Sequence, residues 1–211
     1  MKTVAITGGI GSGKSKILSF FSKRGFTCYN SDEKAKIILN TNSFVKKYVI
    51  KNFGKLSYKK GFINSKYLSK IVFDDPEKLK ELNSIIHPLV EKDFKKFKII
   101  SGKSIIFFES AILFESKINL KFDYTILVTA PIKIRTDRII KRDYITVSQI
   151  MSRVSKQWSD EKKALFADRL IENIDWKRSD NGFPLVKNSL VQHIFYLFLL
   201  VPLETSEYIL L

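Results

Sequence analysis

The chain of 211 residues has one cysteine, Cys28, so no disulfide can form within it, which fits a reducing compartment and a cytoplasmic location. It also lacks a long apolar run. Ile194 to Leu203, IFYLFLLVPL, falls well short of the roughly twenty residues a membrane span needs. Widening it toward Phe183 brings in Lys187, Asn188, Gln192 and His193. A buried terminal helix is expected there and no membrane span, with contact at a membrane surface as the other reading. No secretory signal is expected, because residues 3–7 run straight into a glycine-rich loop. Internal repeats and low-complexity segments are absent. Acidic residues are scarce: 21 against 37 Lys and Arg, a net charge of +16. Such an excess suits nucleic acid, an anionic membrane or polyanionic small substrates. The lysine clusters, such as Lys95-Lys96-Phe97-Lys98 and Lys162-Lys163, are scattered and read mostly as solvated surface. No basic strand interleaved with aromatics appears, so no nucleic-acid partner is expected.

Hydrophobic content of 45% and charged content of 27% are those of a globular protein. The length allows one α/β domain, 1–211, with a small inserted subdomain. Residues Gly8 to Ser15 read Gly-Gly-Ile-Gly-Ser-Gly-Lys-Ser, a full match to G-x-x-x-x-G-K-[ST], after the apolar run Thr3 to Thr7. That is a phosphate-binding loop between a buried strand and a helix. Its glycines let successive N–H groups face one concavity, and the helix adds its positive end. Lys14 would reach the β- and γ-phosphates, and Ser15 would ligand Mg²⁺. The alternative, a glycine-rich turn without a ligand, is hard to reconcile with that spacing. The loop implies nucleotide binding and does not name the reaction.

Apolar periodicity alternates strand and helix. Strands are expected at Thr3–Thr7, Phe26–Tyr29, Ser104–Phe108 and Tyr124–Thr129. A helix is expected from Lys14 to about Arg24, with Ile17, Leu18, Phe20 and Phe21 inward and Gly25 at its end. Ser31 is expected to cap a helix reaching Leu39, with Asp32 and Glu33 in its first turn. Residues 40–100 read as an inserted helical subdomain, too long for a single crossover. From Pro131 to about Arg178 the chain reads as helical. The whole predicts a parallel sheet with helices on both faces.

In such sheets, ligands bind beyond the carboxyl ends of the strands. There the second strand reaches Asp32 and the third reaches Glu109. Asp32 is either the base that accepts a hydroxyl proton or a charge that steadies a helix N-terminus. Glu109 is either a carboxylate that helps hold Mg²⁺ through water or an exposed strand end. Arg138 and Arg142, four apart on one helix face, either neutralise a transferring phosphoryl group or form a solvated basic face. His87-Pro88 reads as a structural helix end, and His193 as incidental.

Together these residues form an ordered pattern over about 2–173 that resembles the dephospho-coenzyme A kinase family. The opening TGGIGSGKS is similar to that family's phosphate loop. Asn30-Ser31-Asp32 resembles its Asp-Ala-Asp element, whose second carboxylate, here Asp32, is the base. Phe53-Gly54, Gly61 to Asn64 and Val72 to Pro76 resemble a helical region that binds the coenzyme A moiety. His87-Pro88, Ile112-Leu113-Phe114-Glu115 and the lid residues Arg138, Arg142-Asp143, Arg153 and Gln157 follow in order, then Lys163, Ala167-Asp168 and Ile171-Glu172-Asn173. Departures are Asn30 for the first Asp, Lys16 for Thr, Lys66 for Arg, Ala111 for Pro and Asp175 for Gly. From Trp176 onward the pattern is lost, leaving a divergent apolar tail, 176–211.

The resemblance implies an ATP-dependent, Mg²⁺-assisted kinase acting on the ribose 3′-hydroxyl of dephospho-coenzyme A. It assigns ATP to Gly8, Gly9, Ile10, Gly11, Ser12, Gly13, Lys14, Ser15, Lys16 and Asn173. It assigns the metal to Ser15 and Glu109, and the chemistry to Asp32, Lys14, Arg138 and Arg142. The helical substrate insertion is then about 40–100 and the lid about 132–160. The residues alone leave two other readings open: a phosphate-loop kinase of another small acceptor, or a nucleic-acid-associated ATP-binding protein. Oligomeric state is left open, a monomer included.

Overall fold

Residues 1–174 are described in a computed structural model, and the strand that opens them lies at the centre of the sheet. β1 (Lys2–Thr7) runs into the glycine loop, and α1 (Lys14–Ser22) leaves it. β2 (Thr27–Asn30) leads directly into α2 (Ser31–Thr41). Three further helices follow: α3 (Ser43–Phe53), α4 (Ser65–Asp74) and the long α5 (Pro76–Ser101). A two-stranded antiparallel hairpin, β3 (Tyr58–Lys59) and β4 (Phe62–Ile63), separates α3 from α4. β5 (Ile105–Glu109) and β6 (Tyr124–Thr129) return to the main sheet. Then come α6 (Ile132–Asp143), α7 (Val147–Val154), α8 (Asp160–Ala164) and β7 (Arg169–Glu172). The strand order is β2-β5-β1-β6-β7, and β1 is parallel to both β5 and β6, as β2 is to β5. The chain divides into Met1–Ile171 and a second unit from Glu172 onward.

Strand alternation decides which helix covers which face. Phe107 points to one side and stacks on Phe21 of α1, ring centroids 4.0 Å apart. Its neighbour Phe108 points to the other, where it meets Tyr29, Phe94 of α5 and Phe122. All but Phe122 are at least nine-tenths buried, each such ring contributing about 1.5–3 kcal/mol. Leu82, Ile86, Val90 and Phe94, spaced every four residues, form the buried stripe of α5. Cys28 is half-buried, and burial pushes its thiol up to about 11, so it stays protonated.

The expected strands and the first two helices are present, with four corrections. Asn30, not Ser31, caps α2, because its side-chain oxygen accepts from the Glu33 amide at 3.0 Å and Ser31 is already helical. The segment after Pro131 is not all helix: Arg169–Glu172 adds an edge strand that its exposed Leu170 disguised. The insertion contains the β3–β4 hairpin, whose strands are too short for any alternation to show. His87-Pro88 does not end a helix, since Pro88 lies inside α5. The amide that Pro88 lacks would have met the Ser84 carbonyl, and both residues face solvent, where water can satisfy that group.

Several segments that carried the family resemblance fall at element boundaries. Gly54 follows α3, Asn64 caps α4 by accepting from the Tyr67 amide, and Asp75 caps α5 through Glu77 and Lys78 with Pro76 in its first turn. Among the described residues no helix is long and apolar enough to cross a membrane. The expectations for Asp175 and for the tail 176–211, His193 included, lie outside the described residues.

Candidate active site

β1 is buried along its second half and delivers the loop to the carboxyl edge of the sheet. Gly8 sits at φ 146°, and a Cβ there would lie 2.0 Å from the Val128 carbonyl oxygen of β6, so the loop can pack this tightly only without a side chain. Lys14 is buried, its Nζ donating to the Gly9 carbonyl at 3.2 Å. Burial holds its pKa below the usual lysine value, while Glu109 and Asp32 pull the other way. Ser12 is buried within the loop, whereas Ser15 and Lys16 are exposed on the first turn of α1.

Strand register brings the polar groups together. Glu109, the last residue of β5, is paired with Ile6 of β1 on one side and Asn30 of β2 on the other. Its Oε1 accepts from Ser15 Oγ at 2.7 Å, and its Oε2 accepts from Asn30 Nδ2 at 3.1 Å. Glu109 is therefore buried and doubly held, not an exposed strand end. Burial raises its pKa, opposed by the Ser15 hydrogen bond and by Lys14. Asn30 thus uses one side chain twice, capping α2 and steadying Glu109. Asp32 lies in the first turn of α2 on the same edge, exposed to solvent but beside the protein groups that line the neighbouring cavity. Its carboxyl lies above the ordinary range because of that surrounding protein, with Lys14 opposing the shift. The Ser15 hydroxyl and Glu109 carboxylate are hard oxygen donors side by side, a set that suits Mg²⁺ keeping most of its water. No group of three or more His, Cys, Asp or Glu poised for a metal occurs among the described residues.

The arginines of α6 divide into distinct roles. Arg138 Nη1 lies 3.5 Å from the Ser12 carbonyl, a long contact that places it beside the loop. Arg142 is not brought to the loop: it is exposed and forms a two-pronged pair with Asp143, at 2.7 and 2.8 Å. Arg135, which the sequence reading passed over, is the buried one. Its Nε donates to the Ile10 carbonyl at 2.8 Å and its Nη1 to Asp160 Oδ2 at 3.1 Å. The available signal was spacing, since Arg135 stands three residues before Arg138 on the same helical face. On the other side of Ile10, its amide donates to Gln157 Oε1 at 2.9 Å.

Next to Asp32 a cavity of about 450 Å³ opens between α2, α5 and residues 110–122. Leu39, Ile86, Phe94 and Phe108 give it an apolar body, and Lys95, Lys98, Lys117 and Lys121 stand around it. His87 also lines it, half-buried, and burial lowers its pKa so that the ring is neutral at pH 7. Asn173 follows β7 and is buried.

The family model described as Dephospho-CoA kinase matches residues 2–177. A dephospho-CoA kinase of Fusobacterium nucleatum subsp. nucleatum is 37% identical over 171 residues, covering 81% of this chain and 88% of that protein. One of Bacteroides fragilis is 35% identical over 173 residues, covering 81% and 83%. Among solved structures, the dephospho-CoA kinase from Campylobacter jejuni superposes with a TM-score of 0.59 at 27% identity, covering 83% of this chain and 90% of that one. A Thermus thermophilus structure superposes with a TM-score of 0.72 at 26% identity, covering 82% and 89%. The likeness runs from the phosphate loop through the cavity-bearing insertion to the residues after β7, and the chain belongs to the dephospho-CoA kinase family.

Proposed function

We propose that this chain transfers the γ-phosphoryl group of ATP to the ribose 3′-hydroxyl of dephospho-coenzyme A, giving coenzyme A and ADP. The observation that carries the reading is the meeting of a phosphate loop, Asp32 and an apolar, lysine-rimmed cavity at one sheet edge, in a member of this family. Gly8 to Lys16 cradle the triphosphate, with Lys14 on its β- and γ-phosphates. Mg²⁺, when bound, offsets phosphate charge, and Ser15 with Glu109 would hold it. Asp32 orients the acceptor hydroxyl and takes its proton as the 3′-oxygen bonds to the γ-phosphorus and the bond to the β,γ-bridging oxygen breaks. Arg138 supports the charge on the transferred group, and Arg142 joins it by leaving Asp143 when the lid, about 132–160, closes and excludes water. The insertion, about 40–100, supplies much of the cavity for the acceptor. Asn173 serves the nucleotide, and the chain works in the cytoplasm.

Apolar walls suit the pantetheine arm and the surrounding lysines suit its diphosphate, which gives part of the +16 charge a use. The test is product mass after incubating purified protein with Mg·ATP and dephospho-coenzyme A, beside a Lys14→Ala control. Coenzyme A formed only with Lys14 intact supports the reading. ATP binding without that product, with turnover on a nucleoside or nucleoside monophosphate, would replace the acceptor.

A further inference from the structure

Between α7 and the end of α8, the seven-residue segment Gln157–Lys163 bonds at one end toward the phosphate loop and at the other to the loop that follows β5. At one end, Gln157 Oε1 accepts from the Ile10 amide of the phosphate loop at 2.9 Å, and Asp160 holds the Arg135 guanidinium that in turn binds the Ile10 carbonyl. The peptide groups on both sides of Ile10 are thus fixed by this segment, one directly and one through Arg135. At the other end, Lys163 Nζ donates to the Ala111 carbonyl at 2.9 Å and pairs with Glu115 Oε1 at 2.9 Å. The Trp158 amide donates to that same Glu115 oxygen at 2.9 Å. Ala111 and Glu115 belong to the loop after β5, whose Ser110, Ile112 and Ser116 line the acceptor cavity.

Lys163 is completely buried, with a partner only 15% exposed, while the second oxygen of Glu115 is buried and accepts no hydrogen bond among the described residues. Such an arrangement is a poor way to gain stability, because desolvating two charges offsets most of their attraction. It is a good way to fix one distance, since a buried pair has one satisfactory geometry.

We propose that Gln157–Lys163 is a strap that sets the spacing between the phosphate loop and the wall of the acceptor cavity. Gln157, Asp160 and Lys163 are its positioning residues, none of them touching reacting atoms. The proposal rests on the phosphoryl-transfer reading, in which a misplacement of about 1 Å between reactants costs about 100-fold in rate. It requires that a change at the cavity end be felt by the nucleotide, and the reverse.

The experiment measures the Kd of Mg·ATP by calorimetry and the KM of each substrate for Glu115→Gln, Gln157→Ala and the double variant. Glu115→Gln keeps the side-chain shape and touches nothing in the phosphate loop. It should weaken Mg·ATP about fivefold, and Gln157→Ala should raise the acceptor KM by a similar factor. The double variant should fall short of the product of the single effects by at least about threefold. Lys163→Arg, which keeps a cation against Glu115, should bind Mg·ATP within about twofold of the parent, whereas Lys163→Met should not. Unchanged ATP affinity in Glu115→Gln, or effects that simply multiply, would overturn the strap. Should Glu115→Gln fail to fold, Gln157→Ala decides: a raised acceptor KM supports the strap and an unchanged one refutes it. Nucleotide affinity is read without acceptor, so a parent protein that binds ATP but makes no coenzyme A would refute the acceptor assignment separately.

Discussion

The guanidinium of Arg135 occupies the space that a side chain on Gly9 would need. A Cβ on Gly9 would lie 2.1 Å from Arg135 Nη2, and Arg135 cannot easily move aside because Ile10 and Asp160 hold it. Gly9→Ala should therefore weaken Mg·ATP binding by about tenfold or more, a loss of roughly 1.4 kcal/mol. Adding Arg135→Ala removes the collision and should recover part of that loss. A double variant weaker than both singles would show that Arg135 contributes more by its bonds than it obstructs by its bulk.

Asp32 should matter for rate far more than for nucleotide affinity. Asp32→Asn keeps the shape and loses the proton acceptor, so turnover should drop by about 100- to 10,000-fold while the Kd of Mg·ATP changes little. The pH profile carries a second signature. The carboxyl works ionised, and its pKa lies above the ordinary value of about 3.9 because the surrounding protein disfavours the charge, Lys14 notwithstanding. Activity should thus fall as pH drops through a limb shifted upward from that value, and kcat/KM against pH measures it. The limb should vanish in Asp32→Asn. Parental turnover in that variant would reduce Asp32 to a stabiliser of the α2 N-terminus.

Arg138 and Arg142 should not be equivalent. Arg138 already lies beside the loop at Ser12, whereas Arg142 must first part from Asp143. Arg138→Ala should lower kcat by about 100-fold, as losing one fixed charge-stabilising donor does. Arg142→Ala should lower it by less, about tenfold. Steady-state rates at saturating substrates compare the two, and equal losses would mean that the Asp143 pair opens at no cost.

Tyr29 offers a stability test away from the chemistry. Its ring is almost fully buried, and its hydroxyl donates to Asp93 Oδ2 at 2.9 Å and contacts the Val90 carbonyl at 3.2 Å. Burial pushes its pKa up, with the Asp93 carboxylate acting in the same direction, so the donor stays protonated. Tyr29→Phe should cost about 1–3 kcal/mol, read as a lower urea midpoint at unchanged slope.

What could be read from the sequence was whatever repeats at a fixed spacing. The apolar run Thr3 to Thr7 and the Gly-Lys-Ser of the loop announce themselves locally and stand where expected, whereas the stripe of α5 runs on through Val90 and Phe94, past the His87-Pro88 that was read as a helix end. Glu109 was placed correctly at a strand end, but its burial and its grip on Ser15 of α1 and Asn30 of β2 come from residues 94 and 79 positions away in sequence. Arg135 and Asp160 were missed for the same reason: an arginine on a basic helix gives no sign of which carboxylate or carbonyl it will meet. Two-residue strands such as Tyr58–Lys59 have no period to detect, and β7 carries too little apolar sequence to stand out from helix.

The register that puts Glu109 beside Ile6 and Asn30 also governs how the chain can change length over evolutionary time. Adding one residue within β5 would bring Phe108 to the place of Glu109 and turn the carboxylate toward the other face. An insertion in the helices behind it would leave the alignment intact. Such a protein is free to lengthen or shorten its outer helices but must keep the residue count of three short strands.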